Sequence, residues 1–236
     1  MNKDMIRCNN TQNIVKVSDF RANDEIQLYL EKALAERKVR GPIPKVRYQR
    51  KRAPKKPGTG DVIRLEEMAK IRYAYLCEPT LVHSSPRLLW TLDEDSGSYE
   101  KAFGVDGRLE SAWSDDTLEE ALLAYVIYAK ADQEAVTLGR KDVKYRFLRR
   151  LRFHTLSLAG IWVRENGGDE KRRELARSKD AFESFWRAFW PLCLDLEIDA
   201  YLTAVEGEKG TLFALVRSDE RWQAMRMSFS YKANAR

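Results

Sequence analysis

No run of apolar residues in this chain approaches the roughly 18 that a membrane-spanning helix needs, so no membrane partner is expected. The first residues hold no apolar h-region, which speaks for a cytoplasmic protein and against export by a signal peptide. Cysteine is scarce: Cys8, Cys77 and Cys193 are odd in number, far apart and without CxxC spacing. They read as reduced thiols, not as a disulfide framework or a zinc set. Histidine is scarcer still, with His83 and His154 alone. A P-loop, a dinucleotide glycine fingerprint and internal repeats are all missing, so no cofactor is expected.

What is present is core material and charge. Hydrophobic residues make up 44% of the chain and aromatics 11%, enough for a folded interior and against intrinsic disorder. The net charge of +6 is unevenly spread. Up to Lys56 there are fifteen Lys or Arg against six Asp or Glu, a net of +9, which leaves 6 − 9 = −3 for the remainder. The excess peaks in "KVRYQRKRAPKK", where Lys45, Arg47, Arg50, Lys51, Arg52, Lys55 and Lys56 follow one another with no acid between them. Dense cations around an aromatic suit a phosphate backbone, because each neutralised phosphate releases counterions. A solvated loop is the competing reading, since Pro42, Pro44, Pro54 and Pro57 with Gly41, Gly58 and Gly60 forbid a helix.

Periodicity predicts a mainly α, multi-helical bundle with a long basic loop. Asn23 opens a helix whose face is Ile26, Leu30, Ala33 and Leu34, ending near Gly41 and Pro42. A second helix is expected from about Val62 to Cys77, stopped by Pro79. Asp116 and Glu119, in capping-box spacing, start a third. A longer one is expected over about Arg140 to Glu165, with Val143, Phe147, Leu151, Leu158, Ile161 and Trp162 on one face. After "ENGGDEK" an aromatic helix from about Arg172 to Leu196 should kink or end at Pro191. A short β-hairpin is the expectation around "VEGEKGTLFALV", followed by a helix from Ser218.

The densest polar cluster is "RCNNTQNIVKVSDFRANDEIQ", from Arg7 to Gln27. A primary amide donates and accepts at once, so Asn9, Asn10, Gln12 and Asn13 can tie down a turn or read a base edge. This stretch, followed by a helix and "YQRKR", resembles the AIPR family, the abortive-infection phage-resistance proteins found near restriction–modification genes. The likeness continues through "RLEEMAKIRYAYLCEPTLVHSSPRLLW" and "SYEKAFG", so it runs from about Arg7 to Gly104. It implies anti-phage defence, and together with the basic loop and the amides it sets the expectation that the chain binds DNA or RNA, or else a partner protein. The expected contact residues are Arg7, Asn9, Asn10, Gln12, Asn13, Lys16 and Arg21 beside the basic loop. Family members carry a long region before the amide motif, whereas six residues precede Arg7 here. The chain therefore looks like the C-terminal portion of a longer protein, half of a split one with an upstream-encoded partner, or a degenerate reading frame without activity. The expected organisation is an AIPR-like segment over 1–104 and a helical region over 105–236, packed together as one unit.

An enzyme reading rests on the two histidines. In "RRLRFH", Arg149 precedes His154 with four residues between, the spacing of HEPN-type ribonucleases, which are helical and common in phage defence. On a straight helix the two lie about 140° apart, with His154 in the apolar stripe, so a packed histidine is the simpler account. Acid–x–Lys pairs at Glu36/Lys38 and Asp169/Lys171 fall on a helix and in a glycine loop, not on the strand a restriction-type nuclease needs. No complete active site and no metal set is legible, and a binding role is the expectation.

Overall fold

A computed structural model describes residues 18, 21–51, 61–76, 78–90, 98–103, 113–206 and 211–234. The architecture is mainly α, with ten helices and one small two-stranded sheet among the described residues. In chain order these are α1 (Glu25–Glu36), β1 (Val46–Gln49), β2 (Asp61–Arg64), α2 (Leu65–Leu76), α3 (Thr80–Ser84) and α4 (Ser98–Phe103). There follow α5 (Asp115–Lys141), α6 (Leu148–Glu165), α7 (Gly168–Arg177), α8 (Lys179–Glu206), α9 (Leu212–Arg217) and α10 (Asp219–Asn234). Short 3-10 turns cover Leu88–Trp90 and Val143–Phe147.

Local chemistry sets most of the boundaries. Ser114 caps α5 by accepting from the Thr117 amide at 3.3 Å, and Asp115 and Asp116 favour the positive end of the helix dipole. The expected long helix from Arg140 is instead broken at Asp142, whose carboxylate accepts from the Lys144 amide at 3.0 Å. That turn diverts the chain into a 3-10 segment before α6 starts. Gly167 and Gly168 turn α6 into α7 at φ 126° and 54°, values that side-chain-bearing residues rarely adopt. Ser178 then separates α7 from α8 and accepts from the Ala181 amide at 3.2 Å.

Three further expectations are corrected. The basic loop begins as a strand: β1 pairs in parallel with β2, Val46 opposite Asp61 and Tyr48 opposite Ile63. Pro191 does not end the aromatic helix, since α8 continues to Glu206 with Pro191 on its exposed side. Phe182, Phe185, Trp186 and Phe189 on the buried side outweigh the one lost backbone bond. The segment expected as a hairpin is helical over Leu212–Arg217, capped by Thr211 accepting from the Ala214 amide.

α5 and α6 pack along each other, and α2 lies on both. α6 and α2 approach closely at Gly160, where a Cβ would stand 2.2 Å from the Tyr75 carbonyl oxygen. On the same face of α6, Ser157 donates to the Ala74 carbonyl and Arg164 Nη1 to that of Tyr75 at 3.1 Å. These are last-turn carbonyls of α2, which its own helix cannot satisfy. α7 clips onto α5 by charge: Arg172 reaches Glu120 at 2.7 Å, Arg173 reaches Asp116 at 2.5 Å and Arg177 reaches Glu119 at 2.9 Å. One continuous core runs from Ala22 to Phe229. A smaller second core joins Phe147, Leu148 and Leu151 to Ala204, Leu215 and Val216, with Tyr201 stacked on Phe147 at 3.9 Å between ring centres.

Candidate functional site

The four stretches that carried the family likeness meet at one place. Gln27 on α1 is fully buried, and its amide bridges two phenols. It accepts from Tyr48 Oη and donates to Tyr99 Oη at 3.0 Å. Tyr99 in turn donates to Asp24 Oδ2 at 2.7 Å, where the chain of bonds reaches the surface. Arg21 closes it, 3.6 Å from Asp24 and with its guanidinium 4.9 Å over the Tyr99 ring. Beside the relay, Ser18 donates to Glu66 Oε1 at 3.0 Å. Burial pushes both phenols well above their ordinary range, so neither is an acid or base near neutrality. The relay is a brace that fixes α1, β1 and α4 against each other. The bridging role expected of an amide is performed by Gln27.

The strand geometry sorts the cations. Successive β side chains alternate between faces. Val46 and Tyr48 point into the core, while Lys45, Arg47 and Lys51 are exposed. Arg50 falls on the inward set and is no free cation. Its Nε donates to Glu31 at 2.7 Å, and its Nη1 donates to the Ala22 carbonyl at 2.8 Å and to Asn23 Oδ1 at 3.3 Å. Charge along the stretch places no acid near Arg50, but Glu31 neutralises it through space. Arg7, Asn9, Asn10, Gln12, Asn13, Lys16, Arg52, Lys55 and Lys56 lie outside the described residues, as do Cys8 and Cys77.

The Arg149 and His154 pair is not brought together. Arg149 faces solvent, 3.5 Å from Asp132, whereas His154 is 1% exposed. His154 stacks on His83 at 5.8 Å between ring centres and meets the edge of Trp222 at 5.7 Å. Burial, then the neighbouring His83, lowers its pKa to about 3, so it stays neutral. Among the described residues no His, Cys, Asp or Glu group of three or more is arranged to hold a metal ion. Nor is any described helix long and apolar enough to cross a membrane. Beyond the basic strand lies a second concentration of cations, which the charge balance of the N-terminal stretch conceals: seven from Arg140 to Arg152, against Asp142 alone. A charge window slid along the whole chain is the signal that finds it.

A family model described as AIPR protein matches residues 1–195. The chain belongs to the AIPR family. The match takes in the relay, the basic strand, α5 to α7 and the first part of α8, well beyond the Gly104 limit of the recognised motifs. Membership gives the AIPR chain its place among abortive-infection, phage-defence proteins. No curated protein and no solved structure matches it.

Proposed function

We propose that this AIPR chain serves abortive-infection defence by binding nucleic acid through the outward face of β1, without an active site of its own in the described residues. The observation that carries this reading is the alternation in the strand. It turns Arg47 to solvent between the exposed flanking Lys45 and Lys51, while Arg50 and the Tyr48–Gln27–Tyr99 relay hold the strand rigidly behind them. Cations on a braced strand lose less conformational freedom on meeting a phosphate backbone than cations on a free loop. Arg52, Lys55 and Lys56 continue the same sequence, and the amide stretch from Arg7 to Lys16 precedes α1 in the chain.

The test is a salt titration of affinity for DNA and RNA, comparing the wild type with the triple variant Lys45→Glu, Arg47→Glu and Lys51→Glu. Binding should weaken, and the slope of log affinity against log salt should flatten by roughly one unit for each phosphate no longer neutralised. Phage plating on cells expressing each form reads the same weakening as a loss of defence. Equal affinities and equal slopes would refute the nucleic-acid reading and leave a protein partner as the ligand of this face.

A further inference from the structure

Where α5 ends, the 3-10 segment crosses and α6 begins, the surface folds into an open cleft of about 750 Å³. Five guanidinium groups line it, those of Arg140, Arg146, Arg149, Arg150 and Arg152. Its apolar wall is made by Ala135, Val136 and Val143. The second core lies beneath, with Phe147, Leu148 and Leu151 packed under the arginine-bearing turns, so the cleft is built on a fixed floor. Gly139 helps to shape it: a Cβ there would stand 3.3 Å from Arg146 Cγ, so the Arg146 stem lies against bare backbone.

The charges in this cleft are poorly balanced from within. Asp132 takes Arg152 at 2.6 Å and lies 3.5 Å from Arg149. Asp142 is taken up by Lys144 at 3.1 Å. Arg150 lies 5.4 Å over the Phe213 ring, which leaves its charge uncompensated. Arg140 and Arg146 are exposed and form no ion pair among the described residues. Like charges gathered in one concavity repel each other, and the low-dielectric wall focuses their field outward. Guanidinium groups match phosphate oxygens in bidentate fashion and are weakly hydrated, so they bind phosphate well. Among the described residues the lining holds no aromatic ring for base stacking. Recognition would therefore run through the backbone and tolerate any base order.

We propose that this arginine cleft is a second nucleic-acid site, holding the phosphodiester backbone of a single strand. Its volume is that of a small-ligand pocket, room for a few nucleotides of one strand. The cleft borrows from the reading of the β1 face only the class of ligand; its residues are separate.

The experiment measures fluorescence anisotropy of labelled single-stranded RNA and DNA oligonucleotides and of a duplex of equal length, with ATP as competitor. Three forms are compared: wild type, Arg140→Glu with Arg146→Glu, and the β1-face triple variant. The cleft variant should bind single strands at least tenfold more weakly at low salt. Its salt slope should fall by about 1.4 units, at roughly 0.7 for each single-strand phosphate left unpaired. Its melting temperature should match the wild type, because both side chains are exposed; should the pair fail to fold, Arg140→Gln with Arg146→Gln takes its place. Wild-type affinity in a folded cleft variant, with weakened binding in the β1-face variant, overturns this site and leaves the β1 reading standing. No binding by the wild type to any nucleic acid overturns both. Duplex bound as tightly as single strand through the cleft, or displacement of the strand by micromolar ATP, also overturns the single-strand assignment.

Discussion

Glu197 on α8 is fully buried and forms no ion pair among the described residues. Thr155 Oγ1 and Cys193 Sγ both donate to its Oε1, while Oε2 has no hydrogen-bond partner among the described residues. Burial disfavours the carboxylate and raises the group from 4.5 to about 8, so the folded protein holds Glu197 protonated at neutral pH. An unfolded chain releases that proton near 4.5. Between those values the folded state binds the extra proton, and stability must fall as pH rises, by about 1.36 kcal/mol per pH unit. His83 and His154 act with the opposite sign. Burial lowers them to about 4 and about 3, so they remove stability as pH falls through 6.5 and are nearly silent above pH 7. The window from pH 7 to 8 therefore isolates Glu197, and over it the wild type should lose about 1 kcal/mol. In a chain of this size that is a fall in melting temperature of about 2–4 °C. Glu197→Gln keeps an acceptor for Thr155 and cannot ionise, so its stability should be nearly flat across the window. Urea unfolding at half-unit steps of pH, on both proteins, makes the measurement. Parallel curves for the two proteins would refute the assignment of the slope to Glu197.

Arg50→Glu should cost about 2 kcal/mol in a denaturant melt, because it sets a carboxylate against Glu31 and abandons the Ala22 carbonyl, whereas Arg47→Glu should change stability by less than ~0.5 kcal/mol. Gly160→Ala should lower stability by roughly 2 kcal/mol or more, since its Cβ would meet a backbone oxygen of α2 and the ~1 kcal/mol gained in helix propensity cannot offset the clash; an unchanged melting temperature would show that the two helices separate freely. His154→Leu should keep or raise the melting temperature, because both ring nitrogens of His154 lack hydrogen-bond partners, and should leave any RNA cleavage as in the wild type. Cleavage abolished in both His154→Ala and Arg149→Ala, with folding intact, would restore the ribonuclease reading.

The helices are legible wherever caps and apolar spacing agree. The Asp116 and Glu119 pair places the start of α5 within one residue, although Ser114 is the cap and both acids instead meet arginines of α7. The spacing of Ile26, Leu30 and Leu34 gives the buried face of α1, and "ENGG" marks the end of α6. The strands are not legible, because each spans four residues and their pairing is parallel, a contact that no local pattern encodes. α8 passes through Pro191 since burial of its aromatic face decides the matter, and that burial is a tertiary fact. The motif stretches are visible as a likeness, yet their convergence through Gln27 is not. Arg50 looks free in sequence because its partner stands nineteen residues earlier, and the cleft arginines escape notice because they lie in what reads as an ordinary amphipathic helix.

The relay also sets an order of events during synthesis. Its bonds join residues 21, 72 and 75 positions apart, so none can close fully until the chain has reached Tyr99. Closing such long loops costs entropy before any contact repays it, and non-local pairing is slow. A nascent chain ending before Ser98 holds the amide stretch and both strands, but Gln27 lacks one of its two phenols and Asp24 its donor from Tyr99. The N-terminal motif therefore matures late, locked by the residue that arrives last.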